Sequence, residues 1–220
     1  MKTFKLSCII LTVLLIGTGC NVSKKNITQT LETKHNTTVT EAKEKVKIDE
    51  YVSAECSWAF DVTDPQAVME NTDYFVKVHV KTKEKTKYFV KNTIMPNSVY
   101  NVKIIDVVSP KNVSLPKNIK LAVNGGVVSM EEYANTLDED TKEKTNTKNL
   151  SKKDAKKMIM ISNEAYYELE QGNDYYICIR DLTDDADYKG YYGMPEGGYD
   201  VFLKDNEEYV NVLTNNKFIP

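Results

Sequence analysis

The stretch YFVKVHV, residues 74–80, alternates apolar and polar side chains, and the fold prediction starts from it. Its three valines fall on one face of an extended chain, whereas Lys77 and His79 fall on the other. Alternation with a period of two is typical of a β-strand that has one face in a core and the other in solvent. The sequence therefore predicts a half-buried strand here.

Several other segments are strand-like. They are residues 88–91, 100–104, 119–123 and 175–180, and a terminal hairpin of 199–203 with 209–213. Residues 105 and 107–108 break the alternation after the second of these segments, which predicts a β-bulge. The run Asn124-Gly125-Gly126 ends the third, where we expect positive φ.

Helix signals are few and short. Asp64 and Pro65 have the residue types of an N-cap and a first helical position. Ser129 with Glu132 and Ser151 with Asp154 have the spacing of capping boxes. The charged stretch 138–148 between these two is interpreted as a mobile insertion.

These elements predict a mainly β fold over residues 51–220. We expect a small closed barrel of the OB type, with five to six strands and two or three short helices. Closure removes the exposed edges that so many short strands would otherwise have.

The first twenty residues, MKTFKLSCIILTVLLIGTGC, have the pattern of a secretory leader. Two lysines precede an apolar run that is too short to span a bilayer as a helix. The run ends in small residues and Cys20, as in a bacterial lipoprotein signal, although Ile16 lies one position early for a regular lipobox. We predict a signal peptide over 1–19 and a diacylglycerol-lipidated Cys20. An ordinary cleaved secretory signal is the alternative.

Residues 20–50 are rich in Thr, Lys, Asn and Glu, with few aliphatic side chains. Such a composition predicts a disordered tether. Together with Cys20, it places the domain on the extracytoplasmic face of the cell membrane, with the membrane as a partner through the lipid.

Over residues 70–213 the chain resembles a group of small Gram-positive lipoproteins of unknown function. These are similar to the OB barrels of netrin-like modules and of tissue inhibitors of metalloproteinases. The resemblance is carried by the strands at 76–80 and 100–108, by Gly125-Gly126 followed by residues 131–133, and by ELEQG at 168–172 followed by 175–177. It implies a fold and, as one functional expectation, peptidase inhibition. The chain lacks the several disulfides and the barrel-proximal N-terminal cysteine of those inhibitors.

The charge pattern bears on possible partners. The formal net charge is −3, and Arg180 is the only arginine among the 29 basic residues. Because bidentate recognition of bases and phosphates depends on arginine, we expect no nucleic-acid partner. Lysines are concentrated between residues 77 and 120, which indicates either a face for anionic lipid or wall polymer, or solvated strand faces.

Four tyrosines near the C-terminus are candidate ligand-binding residues: Tyr188, Tyr191, Tyr192 and Tyr199. They lie in or beside a loop rich in glycine, a composition typical of recognition surfaces. Alternatively, they close one mouth of the barrel.

An acidic segment partly matches a calcium-binding loop. Asp185, Asp187, Gly190 and Glu196 fall at positions 1, 3, 6 and 12 of the EF-hand pattern, but a lysine occupies position 5. The hypothesis is a calcium site formed by Asp184, Asp185, Asp187 and Glu196. The alternative is a solvated acidic loop.

Cys56 and Cys178 are the cysteines outside the leader and the lipidation position. In an oxidising compartment they could form a disulfide. Alternatively, Cys178 is a small buried hydrophobic residue in its strand.

Catalytic signals are weak. The chain has two histidines, His35 and His79, and neither lies in a zinc-binding motif. We therefore expect no cofactor and a non-catalytic binding module for a protein or a cell-wall component. The alternatives are a peptidase inhibitor of netrin-like fold and a hydrolase with an unrecognised carboxylate pair.

Overall fold

The computed structural model describes residues 46–91 and 93–220. The predicted signal peptide over 1–19, the lipidated Cys20 and all but the last residues of the 20–50 tether lie outside the described residues. Among those described, no helix combines the length and the apolar character needed to cross a membrane.

The described chain is mainly β. Its strands are β1 (Glu50–Ser53), β2 (Tyr74–Lys83), β3 (Asn97–Ser109), β4 (Asn118–Asn124), β5 (Gly126–Ser129), β6 (Met158–Ser162), β7 (Asp174–Asp181), β8 (Tyr192–Met194), β9 (Val201–Asp205), β10 (Glu208–Asn211) and β11 (Lys217–Phe218). Its α-helices are α1 (Pro65–Glu70), α2 (Met130–Thr136) and α3 (Glu139–Lys144). Single 3₁₀ turns cover Asp154–Lys156 and Gly197–Asp200.

Five strands form the closed barrel that the sequence predicts. The strands β2, β3 and β4 pair antiparallel in succession, and β8 adds to β4 in parallel. The strand β7 pairs antiparallel with both β8 and β2, which closes the ring. Beyond β7 the sheet continues through β9, β10 and β11. The fold prediction is confirmed.

The predicted bulge is also confirmed. Lys77 pairs with Asp106 whereas the next residue, Val78, pairs with Ile104, so Ile105 is left without a partner. A second register shift lies between Phe75 and Val76. Bulges increase local twist and bend a strand, which allows the long β3 to wrap around a small barrel.

The barrel interior is filled by the alternating residues of these strands. Val76, Val78 and Val80 are fully buried there, and Tyr100 and Leu121 face them from β3 and β4. On the other side of β2, Phe75 contacts Phe202 and Tyr209 with ring centroids 5.6 and 5.0 Å apart. This aromatic cluster explains why the polar face of the 74–80 pattern contains a phenylalanine.

Helix α1 covers the aromatic cluster with Val68. It begins as predicted, since the Asp64 side chain accepts a hydrogen bond from the backbone N–H of Gln66 and Pro65 is the first helical residue. The capping box of Ser129 and Glu132 on α2 is present as well.

A three-stranded sheet of order β1-β6-β5 was not predicted. Its strands are short, and Met158–Ser162 lacks a polar alternation because Ile159, Met160 and Ile161 are all buried. The expected strand at 88–91 is wrong, since that segment belongs to the connection between β2 and β3. The expected mobile insertion at 138–148 contains α3 instead, capped by Asp138.

Two turn predictions have different outcomes. Gly125 has φ of +98°, as the glycine pair predicts. The Oγ of Ser151 does accept a hydrogen bond from the N–H of Asp154, but no α-helix follows, and the N-cap of the single 3₁₀ turn here is Lys153.

Candidate functional site

Two loops meet at one end of the barrel. Phe89 belongs to the β2–β3 connection, and Tyr188 and Tyr191 belong to the β7–β8 connection. The Phe89 ring stacks on that of Tyr188 with centroids 4.9 Å apart, and it contacts Tyr191 edge-on at 4.7 Å. The Tyr188 hydroxyl donates a hydrogen bond of 3.4 Å to Oδ1 of Asn97, the buried first residue of β3. The loops thus support each other.

Two lysine ammonium groups lie close to the ring of Tyr191. The Nζ atoms of Lys87 and Lys120 lie 5.7 and 5.8 Å from its centroid, which is within cation–π range. Lys87 also donates a hydrogen bond of 3.2 Å to the Tyr191 hydroxyl, and this contact raises the pKa of the lysine. The Lys87 ammonium is therefore charged at neutral pH, and both lysines lie beside the same ring.

Glu84 lies between these lysines. Its Oε2 is 3.4 Å from Nζ of Lys87, and its Oε1 is 3.4 Å from Nζ of Lys120. The Oε1 atom also accepts a hydrogen bond of 3.0 Å from Asn101. The Asn101 amide, more than the two lysines, lowers the pKa of this carboxyl, so Glu84 is ionised.

An open cleft of about 540 Å³ adjoins this cluster beside β3 and β4, and its wall includes the apolar residues Val102, Pro116 and Ile119. Polar and charged side chains of its wall include Lys81, Asn101, Asn118 and Lys120, with Thr183 from the β7–β8 loop. Lys81 donates a hydrogen bond of 2.7 Å to Oδ1 of Asn118.

The strand register places the cleft residues together. Asn101 on β3 has Thr82 as its neighbour on β2 and Lys120 as its neighbour on β4. Because side chains one strand apart lie close together on a sheet face, the register puts Asn101 beside Lys120. We refer to Lys81, Glu84, Lys87, Lys120 and Tyr191 as the lysine–tyrosine face.

The structure separates the four candidate tyrosines. Tyr188 and Tyr191 are partly buried in the loop contact. Tyr192 is only 5% exposed and belongs to the barrel core. Tyr199 packs edge-on against Trp58 at 5.9 Å and contacts the aromatic cluster of β2 and β9. The four tyrosines thus lie in the loop contact, the barrel core and the aromatic cluster, and Tyr192 is also part of the cleft wall. Ligand binding by them stays a prediction.

The calcium hypothesis is not supported by the arrangement of its residues. Oδ1 of Asp185 accepts backbone hydrogen bonds from Asp187 and Tyr188, while Asp184 is exposed. Glu196 is buried and directed toward another carboxyl group. In the part of the chain that the structure describes, no three acidic, histidine or cysteine side chains are arranged to hold a metal ion.

The disulfide prediction is wrong. Cys56 and Cys178 are both free. Cys178 is fully buried beside Phe75 and Phe202, and burial raises the pKa of its thiol. Cys56 is partly buried, and its Sγ accepts a hydrogen bond from the Asn163 side chain at 2.8 Å. The alternative of a small buried hydrophobic residue at Cys178 is confirmed.

Glu196 and Asp200 form a buried carboxyl pair. Asp200 has no exposed surface, and its Oδ2 accepts the backbone N–H of Glu196 at 2.8 Å. Burial raises the pKa of both carboxyl groups, and the charge of Glu196 adds to the effect on Asp200. The nearest cation is Arg180, whose Nη2 lies 3.8 Å from Oε1 of Glu196.

One oxygen of each carboxyl group, Oε2 of Glu196 and Oδ1 of Asp200, has no hydrogen-bond partner among the described residues. Two adjacent buried carboxylates repel each other, and a proton shared between them removes that repulsion. Burial and mutual repulsion thus act in the same direction, and both favour the protonated form of the pair.

Comparisons of the chain with protein-family models, with curated proteins and with solved structures give no match.

Sequence reasoning missed Phe89, Glu84, Lys87 and Lys120 as site residues. The dense lysines of 77–120 and the single phenylalanine among them were a usable signal. What could not be foreseen is that Lys87 meets a tyrosine 104 positions further along the chain.

Proposed function

We propose that the protein is a lipoprotein anchored through Cys20 to the extracytoplasmic face of the membrane. In this proposal it is a non-catalytic binding module, and a cell-wall component binds at the lysine–tyrosine face. The single observation that carries the proposal is the contact between the two loops, which fixes charged side chains beside an open cleft.

The position of this face on the barrel supports the proposal. OB barrels commonly bind their ligands on the face of the second and third strands, with the loop after the first strand and the last loop of the barrel. Here β3 and β4 form the cleft, and the loops β2–β3 and β7–β8 flank it. This support is an analogy at the level of the fold.

The other two functions have less support. The buried pair of Glu196 and Asp200 offers nothing to the hydrolase alternative, because a catalytic acid and base must reach a substrate. The inhibitor alternative would need a cysteine amine at the barrel, whereas the proposed lipid occupies Cys20. A protein partner in place of a wall component stays an outcome of the test below.

The test is sedimentation of the protein with purified cell walls of the producing cells. The protein would be the exported chain from residue 20, with Cys20→Ser so that no lipid is attached. We expect the double variant Phe89→Ala/Tyr191→Ala to lose most of the binding, because the loop contact that positions Lys87 and Lys120 is removed.

Tyr51→Ala is the matched control, since Tyr51 is a tyrosine on the separate three-stranded sheet and is 73% exposed. Circular dichroism of each variant verifies folding. Equal binding by the loop variant and the wild type would refute the proposed face.

The anchor is tested separately by fractionating cells that express Cys20→Ala. We expect the variant to leave the membrane fraction. Retention equal to that of the wild type would refute lipidation at this residue.

A further inference from the structure

We propose that Glu196 and Asp200 form a proton-dependent latch on the β8–β9 turn, which comprises residues 195–200. A proton shared between the two carboxyl groups keeps this turn packed on the barrel. At rising pH the proton is lost to solvent and the turn is released. The proposal concerns the strand that closes the barrel and does not depend on the proposed function.

The two carboxyl groups are buried where their charge has little compensation. Glu196 is 5% exposed and Asp200 is not exposed at all. Oδ2 of Asp200 accepts the backbone N–H of Glu196, whereas Oδ1 of Asp200 and Oε2 of Glu196 have no hydrogen-bond partner among the described residues. A buried carboxylate oxygen without a partner is costly. A proton held between the two groups removes one charge and supplies a donor.

Arg180 on β7 is the cation beside the pair. Its Nη2 lies 3.8 Å from Oε1 of Glu196 and also donates a hydrogen bond of 2.6 Å to the carbonyl oxygen of Asn71. The Cys178 thiol, also on β7, is beside the pair, and burial raises its pKa, so it is neutral. Helix α1 and strands β9 and β10 pack on the same turn, but among the described residues they bring no further cation to the pair. One guanidinium balances one carboxylate, so a second carboxylate is favoured only in water.

The β8–β9 turn is held by hydrogen bonds to two neighbouring segments. The N–H of Gly198 donates to the carbonyl oxygen of Ala165 at 2.6 Å. The side-chain amide of Asn211 donates to the carbonyl oxygens of Gly198, Tyr199 and Val201 at 2.8–3.2 Å. Segments held by a few such bonds can open locally at a smaller cost than that of unfolding the whole domain.

Release of this turn acts on the weakest part of the ring. The turn directly follows β8, which has three residues and is the shortest of the five barrel strands. Its pairing with β7 covers only Tyr192 and Gly193. The strands β2 and β3 have ten and thirteen residues and pair along most of that length. We therefore expect opening at β8 and the turn while β2 and β3 stay paired.

Rising pH is the direction that opens the latch. Burial raises the pKa of both carboxyl groups in the folded protein, and the charge of Glu196 adds to the effect on Asp200. In the open turn the groups reach water and have ordinary pKa values of about 3.9 for aspartate and 4.3 for glutamate. The latch is therefore fully closed below these values and is lost as the pH rises through the folded pKa. One proton released on opening increases the opening constant by up to about tenfold per pH unit over this interval.

Cys178 serves as a reporter of opening, because it lies beside the pair and is fully buried with Phe75 and Phe202. Residues 20–220 with Cys20→Ser and Cys56→Ser would be labelled at Cys178 with N-ethylmaleimide from pH 5 to pH 8. Dividing each rate by the rate in concentrated urea at the same pH gives the opening constant.

The test variant is Glu196→Gln/Asp200→Asn, which removes both titratable groups and retains hydrogen-bonding side chains of the same shape. Asp205→Asn/Glu207→Gln is the matched control, since both of these acids are exposed on the next hairpin. Hydrogen exchange of the wild type, corrected for intrinsic rates and read by mass spectrometry, locates the opening.

We expect the opening constants of the wild type and of the control to rise at least about tenfold from pH 5 to pH 8. The opening constant of the double variant should change by less than about twofold. Exchange should become faster with pH at residues 192–200 and stay unchanged at residues 76–80 of β2. If the double variant does not fold, Asp200→Asn alone replaces it and should show a smaller rise than the wild type.

An opening constant of the wild type that does not change with pH would overturn the proposal, as would an equal rise in the test variant. Faster exchange at residues 76–80 and 192–200 alike would indicate global unfolding and would also overturn it. If calcium chloride suppressed the rise at pH 8, the pair would hold a metal ion in place of the proton, and the latch would be refuted.

Discussion

Glu84 and the pair of Glu196 and Asp200 are carboxyl clusters in opposite surroundings. Glu84 is partly exposed and lies between Lys87 and Lys120, and its pKa is lowered, chiefly by the hydrogen bond from Asn101. Among the described residues, Arg180 is the cation beside the buried pair, and burial raises both pKa values. Glu84 is thus held in its charged form at the surface, whereas burial disfavours the charged form of the pair.

The comparison shows that the number of carboxyl groups in a region does not reveal its chemistry. Solvent access and nearby cations decide which acids are ionised. The acidic C-terminal region contains the pair whose ionisation is suppressed, and the lysine-rich region contains the ionised acid.

The largest expected effect in this comparison is that of Asp200→Asn at pH 7. We expect it to increase the free energy of unfolding by about 1–3 kcal/mol. An amide has the same shape as the carboxyl group but carries no charge, so the cost of burying a carboxylate is removed. Asparagine can still accept the Glu196 N–H and can donate to the Glu196 carboxylate. Urea unfolding gives the value, with Asp205→Asn on the exposed end of β9 as control. A loss of stability would show that Asp200 is needed as an anion.

The free energies of unfolding of the wild type and of Asp200→Asn should depend differently on pH. Asp200 has a raised pKa in the folded state, whereas an unfolded aspartate has a pKa of about 3.9. Its contribution to stability is fully present below the unfolded pKa and is lost as the pH rises through the folded pKa. The advantage of Asp200→Asn should therefore grow from pH 4 to neutral pH. An advantage that does not change with pH would contradict the shared proton.

Glu84→Gln should have a smaller effect of opposite sign. We expect a decrease in the free energy of unfolding of less than about 1 kcal/mol at pH 7, because partly exposed ion pairs contribute little. The pKa of Glu84 is lowered, so its contribution is present above the unfolded pKa and is lost as the pH falls through the folded pKa. Urea unfolding at pH 7 and at pH 3 measures both. A destabilisation that persists at pH 3 would mean that packing, not charge, is responsible.

The smallest expected effect is that of salt on the stability differences of the two variants. Raising the ionic strength from 0.1 to 1 M shortens the Debye length from about 10 to about 3 Å, which screens exposed charges more than buried ones. The stability difference of Glu84→Gln should shrink in salt, while that of Asp200→Asn should not change. If salt changed the stability differences of both variants equally, the contrast between an exposed and a buried carboxyl cluster would be contradicted.

The sequence predicts the barrel because alternation with a period of two reports burial directly. The strands β2, β3, β4 and β7 each have enough residues to show it. The strand β8 has three residues, and β6 is buried on both faces, so neither carries that signal. The sequence predicts the bulge at Ile105 because the extra residue shifts the apolar–polar alternation of a long strand.

The candidate site was only partly predictable. The tyrosines of the β7–β8 loop stood out by composition, but their partners Phe89 and Lys87 lie in another loop. Contacts between distant loops depend on the closure of the barrel, which no local pattern encodes. Glu196 matched a calcium position by spacing, but spacing does not show that its side chain is buried.

The most direct test of the binding face is protection of lysines from amine acetylation, read by mass spectrometry. Residues 20–220 with Cys20→Ser would be acetylated with and without cell-wall material. The account predicts that Lys81, Lys87 and Lys120 are protected by the wall, while Lys152 and Lys153 react equally in both samples. Protection of Lys152 and Lys153, or no protection at the lysine–tyrosine face, would contradict it.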